Sequence, residues 1–217
     1  MASLPYVDFH SHFLSPNAIY CTATPEAINP KPKALLYCQG LLPQYWKYQH
    51  LTMLLKNLQS SNVQLGEVGL DKRFQSFISL QKQEENLLTL LQYAKDKGKI
   101  VTLHSVQATE RTIKILKTVK LEPWKTIWHG FTGSKETAQD LFRQGIIISV
   151  GLKGAGKLGE LSKVHSRFVL ETDYEGADQT QYNALLEAHY QSCARELGWT
   201  VEDLKEHCFG QAQTLTN

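Results

Sequence analysis

Residues 7–12 read VDFHSH, with His10 and His12 separated by one serine at the end of a short apolar run. In a strand, residues i and i+2 project to the same face, so two imidazoles at this spacing lie side by side and can share one metal ion. In isolation, a pair of surface histidines on a loop would read the same way. Four further residues with metal-ligand chemistry close other short apolar runs: Glu67 in GEVGLD, His104 in TLHS, His129 in WHGF and Asp173 in ETD. Alone, His104 reads as a core histidine and Glu67 as a helix-cap or salt-bridge residue. All six at the same relative place in their runs point instead to a site for one or two divalent cations.

Such convergence needs a scaffold that brings strand ends together. Eight β-rich runs fall at residues 6–10, 18–23, 34–39, 62–69, 99–105, 125–131, 145–151 and 167–173. Most are continuous apolar stretches rather than alternating ones, as parallel strands covered on both faces require. Amphipathic segments lie between them. In LQKQEENLLTLLQYAKDKGK, Leu80, Leu87, Leu91 and Ala94 share one helical face and Gly98 stops the helix. SKETAQDLFRQG opens on Ser134 as N-cap, with Thr137 in the first turn, and ends at Gly145. Residues 177–198 form a third and longer pattern.

Strands alternating with helices imply a parallel sheet. Eight strands in a chain of 217 residues are most economically closed into a single (β/α)₈ barrel domain spanning 1–217, with an open doubly wound sheet as the alternative. In that barrel every C-terminal strand end meets one rim, where active sites lie. The proline-punctuated segment LSPNAIYCTATPEAINPKPK leaves no room for full helices, so the first crossovers are expected to be cut down to loops.

Composition narrows the function classes. No apolar run approaches a membrane span, and MASLPYVDFH lacks the basic-then-apolar pattern of a signal peptide. Cys21, Cys38, Cys193 and Cys208 show no CxxC spacing, which favours reduced thiols in a cytoplasmic protein over a disulfide framework. A net charge of +2 permits a nucleic-acid partner without demanding one.

At this point the sequence resembles the TatD-type metal-dependent deoxyribonucleases of the amidohydrolase-like barrel superfamily. VDFHSH is similar to the family's opening D-x-H-x-H, and GEVGLD to its G-E-[IV]-G-L-D. The helix and strand ending in TLHS, HGFTGS and VLETD follow in the family's order. The resemblance implies that His10, His12, Glu67 and Asp173 hold one metal. It implies that Glu67, His104 and His129 hold a second, with Glu67 as the bridge. A bridging glutamate also argues against the better-known amidohydrolases, whose bridging group is usually a modified lysine. The chain departs from the family at Val106, where arginine is frequent, at Leu42, where histidine is usual, and at Tyr174-Glu175-Gly176, where a small residue and proline follow ETD. These positions belong to the rim where substrate would rest.

The expected activity is hydrolysis of a DNA phosphodiester by a metal-activated water, with Asp173 as general base and Glu67 as the second catalytic residue. Imidazole-rich ligands suit Zn²⁺ or Mn²⁺, and the resemblance implies Mg²⁺ in use. Lys153, Lys157 and Arg73 are the basic residues expected to contact substrate. GLKGAGKL (151–158) nearly matches the phosphate loop of nucleotide-binding proteins but ends in Leu158, without the hydroxyl that holds magnesium. As the loop after the seventh strand, with Gly154 and Gly156, it is instead a candidate phosphate-binding loop, or simply a solvated connector. Two other readings remain at this stage: a hydrolase of small-molecule esters or amides, and a non-catalytic metal-stabilised subunit that docks a partner.

Overall fold

The computed structural model describes residues 3–27 and 33–216. Its eight strands are β1 (Asp8–Ser11), β2 (Ala18–Thr22), β3 (Leu36–Gln39), β4 (Val63–Asp71), β5 (Val101–Val106), β6 (Thr126–Trp128), β7 (Ile146–Val150) and β8 (Phe168–Leu170). All pair in parallel, in chain order. Each observed strand falls within or against one of the apolar runs read from the sequence. The sheet is nearly closed into a barrel: beyond β8, the Asp173 amide donates to His10 O (3.0 Å), and the His12 amide donates to Tyr174 O (3.0 Å). Those two bonds bring the last strand end against the first.

Helices α1 (Tyr48–Asn57), α2 (Leu80–Asp96), α3 (Thr109–Val119), α4 (Lys135–Arg143), the single-turn α5 (Leu158–Leu161), α6 (Gln179–Leu197) and α7 (Val201–Thr216) are strung along the strands from β3 onward. Between β1 and β2 there is only the turn 12–17, and among the described residues no helix joins β2 to β3. The first crossovers are therefore shortened, as the proline-rich segment requires. Ser79 caps α2 by accepting from the Lys82 amide, and Ser134 caps α4 by accepting from the Thr137 amide. In α2 Leu87, Leu90, Leu91 and Ala94 form the buried stripe, while Leu80 is only partly covered. No helix of the described residues is long and apolar enough to cross a membrane.

The core holds one histidine far from the strand-end rim. His165 is fully buried, donates through Nε2 to Ile146 O (2.8 Å), and lies edge-on to Phe142. Burial lowers its pKa from the ordinary 6.5 to about 4. The folded state thus favours neutral His165: its contribution is full above pH 6.5 and is lost as pH falls from 6.5 through 4. At about 1.4 kcal/mol per pKa unit, acid should remove roughly 3 kcal/mol through this group. We expect His165→Phe to unfold in urea with a visibly shallower loss of stability between pH 6.5 and 4 than the parent chain. Parallel pH curves for the two proteins would show that His165 is not the acid-sensitive group.

Candidate metal centre

The backbone brings the six residues together by close strand approach. A side chain at Gly40 would strike the backbone of Glu67, and one at Gly69 would strike the His104 carbonyl. Glycine at these positions therefore lets β3 press against β4, and β4 against β5. The β4–β5 register also slips between Leu65 and Val68, and such irregularities re-aim a side chain beside an active site. Glu67 lies within that slip. Asp173 has φ = 51°, a left-handed conformation that aspartate tolerates better than most residues.

Glu67 is the centre of the arrangement. Its Oε1 lies 2.6 Å from His104 Nδ1 and 2.8 Å from His129 Nε2. Its Oε2 lies 3.7 Å from both His10 Nε2 and His12 Nε2. Asp173 Oδ1 completes the second side, 3.4 Å from His10 Nε2 and 3.5 Å from His12 Nε2. The His10 and His129 rings stack with centroids 4.1 Å apart. One carboxylate thus faces two pairs of imidazoles, one pair on each oxygen.

These residues fit a divalent cation. Both ring nitrogens of His10 are buried and make no hydrogen bond among the described residues, which leaves polar atoms that need a partner. Ligand atoms of His10, His12 and Asp173 lie within 4.8 Å of one another, and so do those of His10, Glu67 and His129. Around the unbonded His10 ring, nitrogen and carboxylate oxygen at this spacing could share one cation. Burial pushes the Glu67 carboxyl upward, but the charge and hydrogen bonds of His129 and His104, with the charge of His10, outweigh it and hold it well below the usual carboxylate range. Asp173 is held down in the same way: burial opposes ionisation, and His10 and His12 overcome it. Two ionised carboxylates therefore attract positive charge into the cluster.

Two ring nitrogens on the far side of the cluster have hydrogen-bond partners, and a third faces a carboxylate beyond hydrogen-bond reach. His12 Nδ1 meets Cys21 O at 2.8 Å, and His104 Nε2 meets Asp71 Oδ2 at 3.1 Å. His129 Nδ1 lies 3.6 Å from Glu171 Oε1, an oxygen that also accepts from the Gly130 amide at 2.6 Å. Asp71 and Glu171 were not singled out from the sequence. Both stand in the quoted strings GEVGLD and ETD, and their place at strand ends was the available signal.

Beside the cluster is a cavity of about 330 Å³ lined by His104, His129 and Asp173 and, further out, by Arg73, Lys153 and Gly154. Of the three basic residues expected to meet substrate, Lys153 and Arg73 line this cavity. Lys157 does not: its ammonium donates to Thr132 O at 2.9 Å. The Arg73 guanidinium is bonded to Asp71. The 151–158 loop also differs from a phosphate cradle, because the Gly154 amide is spent on Gly151 O (2.9 Å). Leu158, where a nucleotide-binding loop needs a hydroxyl, is buried in the core.

The chain is similar to several metal-dependent hydrolases that are themselves uncharacterized. It is 27% identical to YabD of Bacillus subtilis (strain 168) over 160 residues, 71% of this chain and 62% of that protein. It is 30% identical to YcfH of Escherichia coli (strain K12) over 117 residues, 51% of this chain and 44% of that protein. The chain thus spans less than two thirds of the length of these curated relatives. Among solved structures, YjjV, a TatD homologue from Escherichia coli K12, superposes with a TM-score of 0.74 at 23% identity, covering 91% of this chain and 85% of that one; the likeness establishes the barrel. The family described as TatD related DNase matches residues 15–217, starting just after the His10–His12 pair, and the chain belongs to that family.

Proposed function

We propose that this protein is a divalent-metal-dependent hydrolase of phosphodiester bonds, with DNA as its substrate. The observation that carries the reading is Glu67, whose two carboxylate oxygens each face a different pair of imidazoles. In this reading His10, His12, Asp173 and Glu67 Oε2 hold one cation, and His104, His129 and Glu67 Oε1 hold the other. Zn²⁺ and Mn²⁺ suit the imidazoles, and Mg²⁺ the carboxylates. When bound, such ions supply positive charge that lowers the pKa of a nearby water and draws charge from a breaking phosphoester bond.

The chain's own residues do the rest. Asp173 lies both in the cluster and on the cavity wall, with its side chain half exposed. It is therefore the group placed to take a proton from the attacking water. Lys153, which lines the same cavity as Asp173 and Val106, supplies charge for a substrate phosphate where the family's frequent arginine is replaced by Val106. The four cysteines are buried free thiols, which agrees with a reducing cytoplasmic setting.

The test is hydrolysis by the protein loaded separately with Mg²⁺, Mn²⁺ or Zn²⁺. Single- and double-stranded DNA are compared with a nitrophenyl phosphodiester and a nitrophenyl carboxylic ester. Release of nucleotides or nitrophenol from the phosphodiesters, abolished by chelator, is expected. Turnover of the carboxylic ester alone would replace the phosphodiester reading with an esterase. A phosphate contact positions the strand without reading bases. Lys153→Ala should therefore weaken DNA binding equally across sequences and flatten the dependence of log affinity on log salt by roughly one unit. An unchanged slope would place the phosphate contact elsewhere on the rim.

A further inference from the structure

Arg73 sits at the cavity mouth, where a substrate anion is its obvious partner. Its bonds point elsewhere. Nε lies 2.9 Å from Asp71 Oδ1, Nη2 lies 2.5 Å from Asp71 Oδ2, and the Arg73 amide donates to Oδ1 at 3.0 Å. This is the two-pronged guanidinium–carboxylate geometry, stronger and more directional than a single ion pair. Asp71 itself is fully buried. Its main chain is gripped from α2, where Gln83 Oε1 accepts from the Asp71 amide (2.9 Å) and Gln83 Nε2 donates to the Asp71 carbonyl (3.1 Å). One carboxylate oxygen, Oδ2, is thereby held 3.1 Å from His104 Nε2.

We infer that Asp71 and Arg73 are a positioning pair for His104, with Arg73 acting through Asp71 rather than on substrate. The inference rests on the metal reading of the cluster. A carboxylate can only accept, so His104 must carry a proton on Nε2, and Nδ1 becomes the nitrogen presented to Glu67, 2.6 Å away. The ring is thus fixed in tautomer and in rotation by one bond. Without Arg73, Asp71 would be free to turn away from His104. The guanidinium pins both oxygens, and the Phe74 ring lies 5.7 Å from it, so the local turn itself carries the clamp. A carboxylate behind a ligating histidine also raises the basicity of the nitrogen that faces the cation.

The inference predicts a specific pattern of non-additivity in metal affinity, measured by chelator competition with zinc and needing no turnover. Asp71→Asn should weaken one of two zinc equivalents by roughly 10- to 100-fold. Arg73→Gln, at a half-exposed side chain that the fold tolerates, should weaken the same equivalent by a smaller factor, roughly 3- to 10-fold. In the Asp71→Asn background, Arg73→Gln should add almost nothing, because its only route to the cation has been removed. With Co²⁺ in place of zinc, the visible absorption of the His104 site should shift in both single variants. Failure of the parent chain to bind zinc would overturn the metal reading and this inference with it. Parent binding that Asp71→Asn leaves intact would overturn the positioning role alone. A third result would return Arg73 to the substrate-contacting residues: zinc affinity unchanged by Arg73→Gln, with a raised KM for DNA.

Discussion

Glu67→Gln should leave a folded barrel that no longer loads metal and no longer hydrolyses its substrate. The side chains have nearly the same volume, so packing around β4 survives the change. The electrostatics do not. Glu67 faces His104 and His129 through one oxygen and His10 and His12 through the other. Glutamine keeps one acceptor and turns an NH₂ donor toward the remaining pair of imidazoles, whose lone pairs then have no cation to share. The cluster also loses its one buried negative charge, leaving only the half-exposed Asp173. If cation chemistry supplies several kcal/mol of transition-state stabilisation, turnover should fall by about 10³-fold, at roughly 1.4 kcal/mol per decade. Metal per chain, measured by inductively coupled plasma spectrometry, should drop in parallel, while circular dichroism stays unchanged. Near-parental turnover in this variant would mean that Glu67 does not join two sites.

Why was so much of this centre visible in the primary structure? Four of the six cluster residues, His10, His12, His129 and Asp173, lie at or just beyond a strand end, whereas Glu67 lies mid-β4 and His104 two residues before the end of β5. Parallel strands in a barrel read as short continuous apolar runs with sharp ends. His10 and His12 are local to one another, so their spacing alone predicts a shared face. The register of all eight runs then follows from the closed sheet. The helices were less legible where their ends lack chemical punctuation. Helix α1 begins after Lys47 with no side-chain cap, and α3 begins after Ala108 and ends at Lys120 in a left-handed turn that glycine more often occupies. Helix α7 did carry a readable start, since Thr200 and Asp203 exchange hydrogen bonds across its first turn.

Outside the cluster, legibility ended where a side chain's partner is set by a neighbouring strand or loop. Lys157 and Lys153 are alike in the sequence, yet one is spent on Thr132 O and the other lines the cavity. Arg73 carries the charge of a substrate residue but is turned back onto Asp71 only two positions away. Asp8, Asp71 and Glu171 occupy the same motifs as the cluster residues, and nothing in their spacing distinguishes a ligand from the group that supports one. That distinction lies in distances between strands.

Asp8 is the sharpest case. It is fully buried at the seam where the last strand end meets the first. Its Oδ1 accepts from the Thr172 amide (3.0 Å) and the His10 amide (3.2 Å), and its Oδ2 accepts from the Thr172 hydroxyl (2.6 Å). The residues it joins are His10 and the neighbour of Asp173, so a single carboxylate sets the distance across which those two groups face one another. Removing it in Asp8→Ala strands three buried donors, each worth about 1–3 kcal/mol when left unsatisfied. Partial hydration of the small cavity offsets some of that, and a loss of about 3–5 kcal/mol is expected in urea unfolding of the chelator-treated protein. Asp8→Asn keeps one acceptor oxygen for the two amides and forfeits only the bond from the Thr172 hydroxyl, so its loss should stay near 1–2 kcal/mol. The same order should appear in metal binding, with the His10–His12–Asp173 side weakened in both variants and the His104–His129 side nearly untouched, because the seam lies across the barrel from β5. If Asp8→Ala unfolds within 1 kcal/mol of the parent chain, the two main-chain bonds at His10 and His12 are enough to close the barrel, and Asp8 has no part in holding the cluster.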